Sequence, residues 1–189
     1  MHIYSSSQID EIINELNIGN TVAFGTDTVF GLACIIDNEK ALNKIYQQKQ
    51  RDKAKKLPMM FSSLEMMEKY VKIDDISKRL INRFSPGPIT YILESINSNE
   101  TIACRIPNDD WIINLIDKLK KPLFVTSANI SGEESLLKFD DVKEKIQVDV
   151  LVEKDASGKE ASTIVDVVNE YKILRNGPIT EEEIKEVLK

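Results

Sequence analysis

Hydrophobic positions along the chain recur alternately at helical and at strand spacing. Apolar residues three and four apart predict helices at about 8–17, 40–50, 62–71, 75–84, 111–119, 142–146 and 180–188. Short continuous apolar runs predict strands at 21–24, 32–36, 57–61, 89–93, 101–106, 123–125, 150–152, 163–168 and 172–174. Because the two kinds of element interleave without a repeat or a linker, we expect a single α/β domain over residues 1–189, with a mixed sheet.

Length and composition fit this prediction. The chain has 189 residues, of which 42% are hydrophobic and 30% are charged, and at this length roughly 70% of the unfolded surface can be buried. No apolar run approaches the roughly 20 residues that span a bilayer, and the N-terminal residues lack the regions of a signal peptide. We therefore expect a cytoplasmic protein without a membrane partner.

Histidine and cysteine are too scarce for several kinds of active site. Cys34 and Cys104 each lie in an apolar run, which predicts inert core thiols. The single histidine, His2, lies at the N-terminus, where poor order is expected. A Ser-His-Asp triad, a histidine-rich zinc site and a histidine general base therefore all lack their central residue.

Positive charge is concentrated in one segment of an otherwise acidic chain. The net charge is −6, whereas residues 40–56 contain seven basic residues and one acidic residue, Asp52, for a net charge of +6. A local basic segment in an acidic protein favours a small phosphate ligand over a polyanion. The alternative is a solvated helix face without a ligand.

Two segments offer groups that could hold phosphate. The glycines are too scattered for either Gly-rich phosphate-binding motif, so any nucleotide must be held by side chains and isolated loops. Lys49 and Arg51 supply a point charge and a planar fork, and Ser127 and Asn129 follow a buried strand, where α/β sheets present ligands. Ser127 could equally be a helix cap or a turn residue.

Two arginines lie within predicted strands. Arg105 follows Ile102-Ala103-Cys104, and Arg175 follows Ile173-Leu174. A buried guanidinium is costly unless it is paired or faces a wet cleft. We therefore expect either a carboxylate ligand or an internal acid beside Arg105, and the same alternatives apply to Arg175.

Seven segments, in order, resemble the YrdC/Sua5/TsaC family of threonylcarbamoyl-AMP synthases. They are Thr26-Asp27-Thr28-Val29-Phe30-Gly31-Leu32, Lys49-Gln50-Arg51, Ser85-Pro86-Gly87-Pro88-Ile89-Thr90, Arg105-Ile106-Pro107, Ser127-Ala128-Asn129-Ile130-Ser131-Gly132, Ser162-Thr163-Ile164-Val165-Asp166 and Leu174-Arg175-Asn176-Gly177. Each segment alone is weak evidence of the resemblance. Together the segments cover nearly the whole chain, and their joint order and spacing make a chance match improbable.

The resemblance implies a fold, a reaction and partners. The fold is a twisted mixed sheet flanked by helices with a deep basic cleft, in the short, single-domain form of the family. The reaction converts L-threonine, bicarbonate and ATP, with Mg²⁺, into threonylcarbamoyl-AMP and pyrophosphate for t6A formation at position 37 of tRNAs. A downstream tRNA threonylcarbamoyl transferase complex would take the product. No residue is predicted to ligate a metal.

The resemblance also implies residue roles. The catalytic, phosphate-binding tetrad corresponds to Lys49, Arg51, Ser127 and Asn129. Contacts to ATP correspond to Arg51, Lys55, Thr101, Ser127, Ser135 and Arg175. The threonine side of the cleft corresponds to Thr28, Met60, Arg105 and Ser162, with Arg105 meeting the substrate carboxylate.

Four positions depart from the family pattern, and two other functions stay open. The family usually has proline at position 25 and tyrosine at position 30, where this chain has Gly25 and Phe30. It usually has glycine at position 50, and many members have a histidine near threonine at position 60, where this chain has Gln50 and Met60.

One alternative function is that of a non-enzymatic module that binds tRNA or double-stranded RNA through the basic segment, but the acidic net charge of the chain counts against it. The other is a carbamoyl-transfer domain, whose usual companion modules are missing from this sequence.

Overall fold

The computed structural model of the chain describes residues 1–130 and 132–189, so Ser131 of the predicted Ser127–Gly132 loop lies outside the described residues. The helices are α1 Ile9–Asn17, α2 Glu39–Gln48, α3 Leu64–Met67, α4 Asp75–Phe84, α5 Asp110–Leu119, α6 Phe139–Lys145 and α7 Glu181–Leu188. The strands are β1 His2–Ser5, β2 Val22–Gly25, β3 Phe30–Ile35, β4 Met59–Met60, β5 Ile89–Glu94, β6 Thr101–Arg105, β7 Leu123–Ser127, β8 Val150–Glu153, β9 Thr163–Asp166 and β10 Lys172–Arg175.

Within the described ranges the strands form one ten-stranded sheet in the order β1-β8-β2-β3-β7-β4-β6-β5-β9-β10. Strand β8 pairs in parallel with β1 and β2, β4 with β6, and β5 with β9, whereas the other neighbours are antiparallel. The predicted mixed α/β sheet is confirmed. No helix in the described part of the chain is both long and apolar enough to cross a bilayer.

Helices cover both faces of this sheet because successive strand residues point to opposite sides. Phe24 packs in one buried cluster with Leu16 of α1 and Ile116 of α5. Its neighbour Ala23 packs in a second cluster with Ile45 of α2. A third buried cluster joins α4 and α7 to strands β5, β6 and β9 at the other end of the sheet.

The N-terminal segment differs from the prediction of poor order. His2 lies in β1, which adds a parallel strand beyond β8 with His2 beside Val150. Its Nδ1 lies 3.1 Å from Oε1 of Glu15, on α1. Four residues at a chain end show too little alternation to predict a strand, and the pairing partner lies about 150 residues away.

The two cysteines are buried free thiols, as predicted. Sheet register places Cys34 beside Phe124, Phe124 beside Met59, and Met59 beside Cys104. Three strand spacings of about 4.8 Å therefore separate the cysteines, which is roughly twice the Cα separation that a disulfide allows. Burial raises the pKa of the Cys34 thiol to about 12 and that of the Cys104 thiol further still, which disfavours the reactive thiolate form of both.

Candidate active site

A cavity of about 540 Å³, hereafter the cleft, is lined by residues of the β2–β3 turn and of strands β3, β7, β4, β6, β5, β9 and β10. Its volume lies in the range of small-molecule sites. The predicted site residues that line it are Thr28, Arg51, Lys55, Met60, Arg105, Ser127, Ser162 and Arg175. Residues that are far apart in sequence thus meet in one cavity.

The β2–β3 turn forms one wall of the cleft. Thr26 donates its hydroxyl to the carbonyl of Val29 at 2.7 Å, and its Oγ1 accepts the backbone N–H of Thr28 at 3.1 Å. These local bonds fold the Thr-Asp-Thr segment into a tight turn, as serine and threonine often do. Thr26 and Thr28 are both buried, with their side chains on the cleft.

A segment after β8 crosses this turn at very short range. Gly25 donates its N–H to the carbonyl of Lys154, and Ser157 donates to that of Thr26. A Cβ on Gly25 would lie 2.2 Å from the carbonyl carbon of Asp155, and one on Gly158 would lie 2.4 Å from the carbonyl oxygen of Thr28. Glycine at position 25 is therefore required by this crossing.

Arg105 lies beneath the turn with 4% of its surface exposed. Its Nη2 donates to Oδ1 of Asp27 at 2.7 Å, its Nη1 to Oγ1 of Thr28 at 2.8 Å, and its Nε to the carbonyl of Gly87 at 3.2 Å. Burial lowers the pKa of Arg105, and the Asp27 carboxylate acts in the opposite direction. Of the two partners that the sequence left open, the structure provides the internal acid, and these three bonds leave two of the five N–H groups of Arg105.

Lys49 supports the loop after β7 from below. Its ammonium donates to the carbonyl of Ser127 at 2.5 Å, and to the carbonyl and Oδ1 of Asn129 at 2.7 and 2.9 Å. Burial, followed by the charge of Arg51, lowers the pKa of Lys49 to about 8. Lys49 and Asn129 do not line the cleft, whereas Ser127 does.

The backbone after α2 shows why glycine is usual at position 50, where this chain has glutamine. Gln50 has a φ of 50°, in the left-handed region where glycine is usual after a helix. A non-glycine residue there costs about 1–2 kcal/mol. The turn at Gln50 redirects the chain from Lys49, under the loop, to Arg51, on the cleft.

Arg51 organises the basic loop that follows it. Its Nε donates to the carbonyl of Lys55 at 2.8 Å and its Nη2 to that of Lys56 at 3.2 Å. All three side chains line the cleft, and the Lys56 ammonium lies 2.7 Å from Oε2 of Glu100. The rest of the basic segment includes Lys44, which pairs with Asp149 instead. Only the end of the segment thus forms the predicted anion site.

A second arginine reaches the cleft from the other end of the sheet. Arg175 donates from Nε to the carbonyl of Ser162 at 2.8 Å and from Nη2 to its Oγ at 3.0 Å. Ser162 Oγ lies 2.8 Å from Oγ1 of Thr90. Desolvation, and then the charge of Arg105, lowers the pKa of Arg175.

Among the predicted ATP contacts, Thr101 and Ser135 do not line the cleft. Thr101 stands on the same face of β6 as Ala103 and Arg105 but is exposed at the outer end of the strand. Ser135 adjoins Leu136, whose carbonyl accepts the N–H of Phe30. Their contact with ATP stays a prediction.

Four lining residues with polar side chains were not among the predicted site residues: Thr26, Lys56, Thr90 and Thr126. Thr26 and Thr90 belong to segments that carried the family resemblance, and Lys56 belongs to the basic segment. Strand alternation offers a signal for Thr90, because it stands two residues from Ile92, another cleft residue.

Charge on the cleft is of one sign. Its described lining includes the cations Arg51, Lys55, Lys56, Arg105 and Arg175, and no carboxylate. Oriented donors that face a partly enclosed cavity favour anionic ligands. Fold and site together define an α/β protein with a basic cleft for a phosphate- or carboxylate-bearing small molecule.

Comparison with known proteins names the family. The Sua5/YciO/YrdC family model, described as telomere recombination, matches residues 14–177. A putative threonylcarbamoyl-AMP synthase from Methanocaldococcus jannaschii is 36% identical over 151 residues, covering 76% of this chain and 70% of the relative. A threonylcarbamoyl-AMP synthase from Wigglesworthia glossinidia brevipalpis is 30% identical over 180 residues, covering 88% of this chain and 92% of the relative. The chain belongs to the Sua5/YciO/YrdC family.

Solved structures agree with this assignment. The crystal structure of P. abyssi Sua5 complexed with L-threonine superposes with a TM-score of 0.91 at 28% identity. It is matched over 100% of this chain, which spans 61% of the Sua5 chain. E. coli YciO, at 20% identity and a TM-score of 0.88, shares the fold and is matched over 97% of this chain and 98% of its own.

Proposed function

We propose that the chain is a threonylcarbamoyl-AMP synthase, which forms threonylcarbamoyl-AMP and pyrophosphate from L-threonine, bicarbonate and ATP. The observation that carries the proposal is the junction of two anion sites in one cleft. One end of the cleft contains Arg51, Lys55, Lys56 and Ser127. The floor contains the buried Arg105, which has N–H groups left after its internal hydrogen bonds. Two anionic substrates could meet there.

The order of bond changes follows from the substrates. The threonine ammonium loses one proton to solvent, and the resulting amine attacks the carbon of carbon dioxide and releases a second proton to form a carbamate. With bicarbonate as the carbon source, the bond from that carbon to a hydroxyl oxygen breaks and water leaves. A carbamate oxygen then bonds to the α-phosphorus of ATP, and the bond from that phosphorus to the bridging oxygen breaks as pyrophosphate leaves. No protein nucleophile is needed, so the chain contributes positioning and charge stabilisation.

Each group has a role under this proposal. Arg51, Lys55 and Ser127 bind the phosphates, and Lys49 and Asn129 hold the loop that presents Ser127. Arg105 binds the threonine carboxylate, with Thr28, Met60 and Ser162 around the amino acid, and Arg175, Thr101 and Ser135 serve ATP. The planar guanidinium of Arg51 can bind two phosphate oxygens through a fixed pair of N–H groups, whereas a lysine ammonium acts as a point charge.

Mg²⁺ would arrive with ATP. No cluster of three or more potential ligands from His, Cys, Asp and Glu occurs among the described residues, and the cleft lining there lacks carboxylates. These residues therefore do not fit a resident metal site. Mg²⁺ commonly keeps several waters and binds substrate phosphates, and it would neutralise part of their charge.

The cellular setting belongs to the same proposal. Residues 1–189 would act as one domain in the cytoplasm, and the product would pass to a tRNA threonylcarbamoyl transferase complex. Direct contact with tRNA would be secondary to the small-molecule site. The ten strands of one sheet support the single domain.

Pyrophosphate release tests the proposal. Purified protein with ATP, Mg²⁺, L-threonine and bicarbonate should release pyrophosphate at a rate that requires threonine. Arg51→Ala should remove most of this activity, whereas Lys53→Ala, an exposed change in the same loop, should not. Folded protein without threonine-dependent release would reject the proposed function.

A further inference from the structure

A row of polar side chains crosses four neighbouring strands on the floor of the cleft. It runs from Arg175 on β10, through Ser162 before β9 and Thr90 on β5, to Arg105 on β6. Tyr91 pairs with Cys104, so the next residues along this antiparallel pair, Thr90 and Arg105, stand opposite each other. Side chains in such positions lie about 5 Å apart at Cβ.

Hydrogen-bond direction is fixed on the Thr28 side of Arg105. Arg105 can only donate to Thr28 Oγ1, and Val29 offers only a carbonyl acceptor to Thr26. The hydroxyl of Thr28 therefore donates to Oγ1 of Thr26, 3.0 Å away. The hydroxyl oxygen of Thr28 can still accept a hydrogen bond from the cleft, but its hydroxyl hydrogen is already donated to Thr26.

On the Thr90 side of Arg105, the hydroxyl groups have one more hydrogen than their shared contact uses. The side chains of Ser162 and Thr90 carry one hydroxyl hydrogen each and share one contact of 2.8 Å, so one of the two hydrogens has no acceptor in this contact. Arg175 donates to Ser162 Oγ, which polarises Ser162 and makes it the stronger donor of the pair. This favours Ser162 as the donor and Thr90 as the acceptor of the shared bond, which leaves the hydroxyl hydrogen of Thr90 for the cleft. Thr90 is 2% exposed, so this donor is buried.

We propose that Thr90 is a substrate-binding residue whose hydroxyl donates to the amino-acid carboxylate, beside the guanidinium of Arg105. The inference rests on the proposed function and adds a residue to it. Arg105 retains two N–H groups after its three internal bonds, and Thr90 adds one O–H next to them. Together they match the two oxygens of a carboxylate.

Calorimetric titration of L-threonine into the protein without ATP tests this assignment. Thr90→Val keeps the shape and removes the hydroxyl, and it should weaken threonine binding about tenfold, because a bond to a charged group is lost. Thr90→Ser should restore most of the affinity. If Thr90→Val fails to fold, Thr90→Ala carries the same prediction.

Thr163→Val is the matched control. Thr163 is a buried threonine on the neighbouring strand, and its Oγ1 bonds only to the backbone of Ile179 among the described residues. This variant should lose stability, measured by thermal melting, and keep wild-type affinity for threonine. A parallel loss of threonine affinity in both variants would contradict a specific role for Thr90.

Steady-state kinetics separates the remaining outcomes. Thr90→Val should raise the KM for threonine about tenfold and leave the KM values for bicarbonate and ATP near wild type. An unchanged threonine affinity, or a change in the bicarbonate KM alone, would overturn the assignment while the proposed function stands. Folded wild-type protein that shows no threonine-dependent pyrophosphate release would instead refute the proposed function.

Discussion

The Nζ of Lys49 lies 2.7 Å from the backbone oxygen of Asn129 and 2.9 Å from its Oδ1. A residue that the sequence places among the phosphate ligands thus binds the chain itself. Asn129 Oδ1 also accepts the hydroxyl of Ser127, at 2.6 Å. Lys49 and Asn129 therefore form the support on which Ser127 reaches the cleft.

Replacing Lys49 should weaken ATP binding through this loop. Lys49→Met leaves the Ser127 and Asn129 carbonyls without their charged donor, and we expect the Kd for ATP to rise at least about tenfold, the value of one charge-assisted hydrogen bond. Lys53→Met, an exposed change nearby, is the control. Equal ATP affinity in the two variants would contradict the supporting role.

The depressed pKa of Lys49 predicts a pH dependence. Because that pKa is about 8, the ammonium loses its proton and one of its three donors as pH rises through this value. ATP affinity, measured without threonine between pH 6.5 and 9.5, about the range of this transition, should fall above about pH 8. The Lys49→Met variant should lack this transition, and a flat wild-type profile would disprove the link.

Stability should change with pH in the opposite sense. The unfolded chain keeps the Lys49 proton up to its ordinary pKa of 10.5, whereas the folded chain releases it near 8. Between these values the unfolded state binds more protons, so this group adds to the free energy of unfolding as pH rises. Urea titrations at pH 7.5 and 9.5, on either side of about 8, should show the increment in wild type and lose it in Lys49→Met.

The buried pair of Asp27 and Arg105 predicts a stability effect. Their side chains are 7% and 5% exposed, and Asp27 also accepts the N–H of Asn108 at 2.9 Å. Asp27→Asn leaves the buried guanidinium without a counter-charge and should cost about 3 kcal/mol of unfolding free energy. The exposed pair of Asp37 and Lys121 is the control, where Asp37→Asn should cost less than about 1 kcal/mol.

Threonine should partly rescue the Asp27→Asn variant. Its carboxylate would supply the missing counter-charge, so saturating L-threonine should raise the melting temperature of this variant more than that of wild type. A smaller or equal shift would contradict the placement of the carboxylate at Arg105.

The close crossing at Gly25 predicts sensitivity to a single methyl group. Gly25→Ala places a Cβ 2.2 Å from backbone atoms of Asp155, and we expect a loss of about 3 kcal/mol, since backbone cannot rotate away. Among the described residues no atom crowds a Cβ on Gly132, but its φ is +96°, so Gly132→Ala should cost only about 1–2 kcal/mol. Chemical denaturation measures both, and equal losses would contradict the steric account.

Local pattern predicted the regular elements well. The helix predicted at 75–84 lies at Asp75–Phe84, where apolar periodicity, an Asp74 cap and the following prolines agree. Strand β1 was not predicted, because its pairing with β8 is long-range. The mixed sheet followed from connections too short for helical crossovers, such as the turn between β2 and β3.

The site was predictable as a set of residues and not as a network. Arg105 required a partner, but only the fold identifies Asp27, 78 residues away. Lys49 follows a helix end, where the direction of its side chain depends on the loop after β7. The Thr90 and Ser162 contact depends on the parallel pairing of β5 and β9, which no local pattern specifies.

The most direct test of the proposed function follows the carbon of bicarbonate. Protein incubated with ATP, Mg²⁺, L-threonine and ¹³C-bicarbonate should yield threonylcarbamoyl-AMP that carries one ¹³C, detected by mass spectrometry, with pyrophosphate in equal amount. The label should be absent without threonine and nearly absent with Arg51→Ala. Folded protein that yields no labelled adenylate, or pyrophosphate that does not depend on threonine, would contradict the account.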